Sequence, residues 1–181
     1  YILTGSAKPS EGETMHSGTG RISRVLMRPM SLYESFESTG EVSLKDLFEG
    51  KDISGVSKLS LEDLASVIVR GGWPAAIDVE GDAKYRVAKE YVKSLVHEEV
   101  IKVDSVERNP EKMKNVLRAL ARNISTQVSN TTIREDVKNT FYDEISRPTL
   151  DDYINTLEKL YVIENVNATN LNLRSKYAIR T

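Results

Sequence analysis

The sequence contains no cysteine. Disulfides and thiolate metal sites are thereby excluded, and an intracellular setting fits. Histidine is almost as scarce: His16 and His97 are the only two. His97 is followed by Glu98 and Glu99, but consecutive residues on a helix point in different directions, so this stretch reads as a helix surface, not a metal site. No apolar run approaches the length that spans a bilayer, and no signal-peptide pattern opens the chain. The expectation is a soluble, cytoplasmic protein with no membrane partner. An excess of one charge is missing too, since 25 basic residues face 27 acidic ones for a formal charge of -2. There is no global field to hold nucleic acid, so any such binding needs a local patch. Finally, nothing matches the phosphate-loop pattern G-x-x-x-x-G-K-[ST]. Gly50-Lys51 lacks the upstream glycine and runs into Asp52. Without that loop there is no backbone cradle for phosphates and no hydroxyl for Mg²⁺. These residues alone are not expected to hydrolyse ATP.

What is present is ordinary for a folded protein: 39% hydrophobic and 29% charged residues over 181 positions, enough for one large domain or two small ones. Tyr1-Ile2-Leu3-Thr4 followed by Gly5-Ser6 reads as a buried strand running into a loop, and Lys176–Thr181 as an extended segment with no closing turn. Strands need neighbours for their backbone groups, so both ends are expected to be cut from a longer chain. Residues 7–20 are rich in Gly, Ser, Thr and Glu and read as a loop. Ile22–Met27 predicts a short strand stopped by Arg28-Pro29. Ser31 with Glu34 forms a capping-box pattern for a short helix over Leu32–Phe36.

The polar stretch from Ser38 to Ser60 predicts a connection with one short helix near Leu44–Phe48. Ser60 should cap a helix carrying Leu61, Leu64, Ala65 and Ile68, ended by Gly71-Gly72 and by Trp73-Pro74. Asp82 should open a long amphipathic helix with Tyr85, Ala88, Val92, Leu95, Val96 and Glu99 along one stripe. Asn109-Pro110 starts another, with Met113, Val116, Leu117, Leu120 and Ile124. A short helical stretch over Thr131–Lys138 follows. Ser146-Arg147-Pro148-Thr149 predicts a turn and cap before a strongly periodic helix over Leu150–Tyr161. Val162–Val166 and Arg174–Ile179 read as two strands. Helix, short helix, longer helix and hairpin is the order of a winged helix-turn-helix.

Four stretches carry a family resemblance. They are Ile2–Ser6; His16–Ile22 with Arg28–Glu34; Arg70-Gly71-Gly72-Trp73-Pro74; and Thr149–Val162. Together they resemble the AAA+ superfamily ATPases of bacteria and archaea that carry a C-terminal domain of unknown function, number 4143. The resemblance implies a mostly α chain with a small β component. Residues 1–36 would be the remnant of a P-loop α/β domain, 37–59 a flexible connection, 60–108 a helical segment and 109–181 a winged-helix-like domain. It also implies that a longer parent uses ATP and Mg²⁺, with Ser6 (or Thr4) as a sensor at the nucleotide and Arg21 as a charge stabiliser. Arginine suits that work because its planar fork pairs bidentately with phosphate. No cofactor is expected on the present residues alone.

Three functions follow as alternatives: a regulatory or partner-binding portion of such an ATPase, a DNA-binding winged helix, or a plain protein-interaction domain. The helix that would enter a DNA groove carries Asp151, Asp152 and Glu158 against Lys159, which repels phosphate. The better basic surfaces are Lys114, Arg118 and Arg122, spaced four apart on one stripe, and Arg174, Lys176 and Arg180 on the expected wing. Partners are therefore other domains or subunits of the parent, oligomers included, with DNA as the alternative.

Overall fold

A computed structural model describes residues 1–2, 4–5, 20–23 and 25–166. The described chain is mostly helical, and no strand occurs among these residues. It divides into two compact units, Gly18–Lys93 and a second built on the residues from Ser94 onward.

In the first unit, α1 (Leu44–Phe48) and α2 (Leu61–Arg70) lie where the sequence places them. Ser43 and Ser60 cap them, and at Ser60 the box is reciprocal. The hydroxyl accepts from the Asp63 N–H at 3.1 Å, while the Asp63 carboxylate accepts from the Ser60 N–H at 3.0 Å. Two of the donors that open every helix are satisfied in this way. Two 3-10 turns follow, Pro74–Ala76 and Gly81–Tyr85, then α3 (Arg86–Ser94). The long helix expected from Asp82 is thus a 3-10 turn, an α-helix, a π-turn over Leu95–Glu99 and the short α4 (Val100–Lys102).

The second unit contains α5 (Pro110–Arg122), α6 (Asn130–Phe141) and α7 (Arg147–Lys159). Each of these three helices packs on the other two, and the π-turn packs on α5. Their starts are written in the sequence: Asn109, Ser129 and Ser146 each accept from backbone N–H groups of the first turn, as small polar caps do. Leu95, Val100, Met113, Val116, Ile133, Val137, Leu150 and Leu157 form the core, each at most 1% exposed.

Several expectations are corrected. Residues 32–36 form a turn, not a helix. The Ser31–Glu34 box is made, with Glu34 accepting from the Ser31 N–H at 2.8 Å, but Phe36 turns left-handed at φ 62° and the chain leaves. The described residues of 22–27 (all but Arg24) and Val162–Val166 are not in strands, and neither are Tyr1, Ile2 or Thr4. A strand needs a second strand to pair its backbone, and no such pairing is present among the described residues. At Val162 the N–H is committed elsewhere: it donates to Leu157 O at 2.9 Å while Tyr161, left-handed at φ 56°, donates to Glu158 O. This is a Schellman closure of α7 with tyrosine in the usual glycine place. The small β component is therefore not observed in the described residues, and Arg174–Ile179 lies outside them. Helix α6 is longer than expected and α7 begins three residues earlier, at Arg147.

Candidate functional site

The residues singled out in the sequence do not converge. Thr4 and Arg21 are both exposed, Arg21 directly after Gly20 in its left-handed turn. Ser6, Arg174, Lys176 and Arg180 lie outside the described residues. The stripe on α5 exists, but its cations are turned toward neighbours. Lys114 lies 3.7 Å from Glu111, Arg118 sits 5.8 Å from the centre of the Phe141 ring, and Arg122 donates to Thr140 Oγ1 at 2.8 Å with Asp136 at 3.4 Å. Lys112, one helix face away, bonds Asp143 at 3.1 Å. A polar recess beside this contact is lined by Arg122, Asn123, Thr132, Glu135, Asp136 and Asn139.

Two other clusters are drawn together across long stretches of sequence. In the first unit, Arg28–Glu34 meets the Arg70-Gly71-Gly72-Trp73-Pro74 motif. The Met30 N–H donates to Gly72 O at 2.9 Å, and a Cβ on Gly72 would lie 2.3 Å from Met30 O, so only glycine allows the approach. Arg70 is buried and forks onto Glu37 at 2.6 and 2.8 Å. That pairing holds the Glu37 carboxyl below its usual range and raises the guanidinium. Trp73 packs on Tyr91 with ring centres 4.6 Å apart.

The second cluster is centred on Arg108, whose side chain is 2% exposed. Its Nε and Nη2 donate to Asp152 of α7 at 2.8 and 2.9 Å. Nη1 and Nη2 donate to Asp104 at 2.9 and 2.8 Å, and Nη1 also reaches Val100 O at 3.1 Å and Val106 O at 3.3 Å. Two carboxylates in fork geometry stabilise the charged form strongly, so Arg108 is raised and Asp104 lowered, each chiefly by the hydrogen bonds of the pair. Next to it, the Asn109 N–H donates to Tyr153 Oη at 3.1 Å. The loop before α5 is thereby fastened to α7.

Sequence reading missed this centre. In the sequence Asp152 reads as an acid on the helix that would enter a DNA groove, and nothing singles out Arg108. The one local signal is Asp104 four residues before Arg108; the partner on α7 is 44 residues away. Of the acids on α7, Asp152 is thus neutralised from within. Asp151 accepts from Asn130 at 2.7 Å, and Glu158 accepts from Asn165. Among the described residues no group of three His, Asp or Glu side chains is placed to hold a metal ion, and no helix is long and apolar enough to cross a membrane.

The fold and the clusters define a helical protein whose second unit is a three-helix core. The family called Domain of unknown function (DUF8612) matches residues 61–181, more than half of the chain, and the chain belongs to it. No curated protein and no solved structure matches the sequence.

Proposed function

We propose that the chain is a regulatory, partner-binding portion of a P-loop ATPase of the kind that residues 2–6, 16–34 and 70–74 resemble, and that its α5–α7 core is a helix-turn-helix used to bind protein. In this reading residues 1–36 are what remains of the P-loop domain. ATP and Mg²⁺ are handled by the longer parent, with Ser6 or Thr4 at the nucleotide and Arg21 offered to its phosphates from an exposed position.

The observation that carries the protein-binding reading is the charge arrangement of α5–α7. Lys112, Arg118 and Arg122 face Asp143, Phe141 and Asp136. On α7, Asp151 and Glu158 flank the exposed positions Asp152, Asn155 and Lys159, where a DNA-reading helix needs cations. Both features favour a protein partner over a phosphate backbone. A titration of labelled duplex DNA at two salt concentrations tests this: the proposal expects no binding at low salt, and binding with a steep salt slope would replace it with the DNA-binding reading. The ATPase half requires a phosphate loop encoded upstream of Tyr1, and loss of turnover in the parent on Arg21→Ala with folding intact. Undiminished turnover in that variant would remove Arg21 from the reaction.

A further inference from the structure

The π-turn over Leu95–Glu99 has a cause in the sequence. Val100 N–H donates to Leu95 O, five residues back. Such a turn takes up one residue more than an α-turn, setting all later residues back by one place in angle. In an unbroken α-helix, at about 100° per residue, Val100 would lie about 140° round from Leu95, beyond Val96 at about 100°. With one residue absorbed it lies about 40° round, between the two. All three are buried: Leu95 at 1%, Val96 at 5% and Val100 at 0% exposure. The apolar spacing therefore demands a surplus residue, which the exposed His97 and Glu98 accommodate.

The far end of this turn is gripped. Arg108 Nη1 donates to the carbonyl of Val100, the residue that closes the π-turn, and the same guanidinium holds Asp152 through Nε and Nη2. The Asp152 side chain is 47% exposed. A surface carboxylate on α7 is thus joined, through one buried cation that Asp104 also holds, to the carbonyl of the residue whose N–H closes the π-turn.

We infer that Arg108 is a register latch. Paired with Asp152 it holds Val100 and keeps the surplus residue in the Leu95–Glu99 turn. When a basic side chain of a protein partner draws Asp152 away, Arg108 is left with Asp104 alone, its hold on the Val100 carbonyl weakens, and the surplus residue passes on toward Val103, leaving an α-turn behind. The trigger rests on α7 being a partner-facing helix; the coupling from Asp152 to Val100 does not.

Hydrogen exchange on the whole chain separates the two. Asp152→Asn should speed exchange of the amides in 96–101 by about tenfold while α6 stays protected, because a local opening is released without global unfolding. Asp136→Asn, which loses a pair unconnected to Val100, should leave 96–101 unchanged. Deletion of Glu98 removes the surplus residue, so that chain should fold and Asp152→Asn should no longer affect 96–101. Equal loosening of α6, no response in 96–101, or a deletion chain that fails to fold or still responds would each overturn the latch. If the latch responds to Asp152→Asn but the chain binds duplex DNA, the coupling stands and the protein-binding reading falls.

Discussion

Arg108 grips Asp152 with two hydrogen bonds of 2.8 and 2.9 Å, although 44 residues separate them in sequence. The guanidinium is 2% exposed and Asp104 occupies its other edge. Removing the cation leaves two carboxylates facing each other with their partner gone. Arg108→Leu should destabilise the second unit by about 1–3 kcal/mol, less than for a fully buried pair because the two carboxylates left behind are 31% and 47% exposed. Arg108→Lys keeps the charge but loses the fork and should cost less. Urea unfolding followed by far-UV circular dichroism measures both; equal, small losses would mean the pair holds nothing together.

Acid should weaken the fold through the same contacts. Asp104 and Glu37 both titrate below their ordinary values of 3.8 and 4.5, chiefly through hydrogen bonds from Arg108 and Arg70. A carboxyl lowered on folding stabilises the native state above its unfolded pKa, and that share is lost as pH falls through the folded pKa. Stability should therefore be level above about pH 5 and decline below about pH 4. Asp104→Asn should lower the plateau and flatten the decline. A plateau continuing down to pH 3 would show that these carboxylates gain nothing from folding.

Gly72 and Gly81 give a matched pair. A methyl on Gly72 meets Met30 backbone atoms at 2.3 and 2.8 Å. Gly81, at φ 63°, has open space around it. Gly81→Ala should cost about 1–2 kcal/mol from the left-handed backbone alone. Gly72→Ala must displace backbone and should cost about 1–3 kcal/mol together with the Met30–Gly72 hydrogen bond. Near-ultraviolet dichroism of Trp73, the sole tryptophan, should change only in the Gly72 variant.

One position should be improvable. Tyr142 ends α6 in the left-handed region at φ 53°, with its side chain 92% exposed. Glycine adopts that backbone without the Cβ clash, so Tyr142→Gly should stabilise the chain by about 1 kcal/mol. A lower melting temperature would mean that the tyrosine makes a contact worth more than the strain.

The helices were legible wherever their signals are local. Ser60 and Gly71 bound α2, and Asn109-Pro110 and Ser146 open α5 and α7, because caps act within three residues. Burial was less legible. On α2 the sequence points to Leu61, Leu64, Ala65 and Ile68, yet the buried positions are Val67 and Arg70, since Arg70 is drawn inward by Glu37, 33 residues away. The π-turn was hidden for the opposite reason: the stripe of Tyr85 to Val96 fits an α-helix, and only Val100 reveals the extra residue. Strand expectations fail at the described residues of 22–27 and at 162–166 because apolar alternation reports a suitable side-chain pattern and says nothing of a partner strand. Arg108 escaped notice since half of its site comes from α7.

The most direct test of the proposed role compares the chain with a variant carrying Asp151→Lys and Glu158→Lys in a fluorescence-anisotropy titration against duplex DNA at low salt. The account predicts no binding by the natural sequence. It predicts salt-sensitive binding by the variant, because on the proposed helix-turn-helix reading the acids of α7 are what keep a phosphate backbone away. Salt-sensitive binding by the natural sequence at comparable strength would contradict the protein-binding assignment.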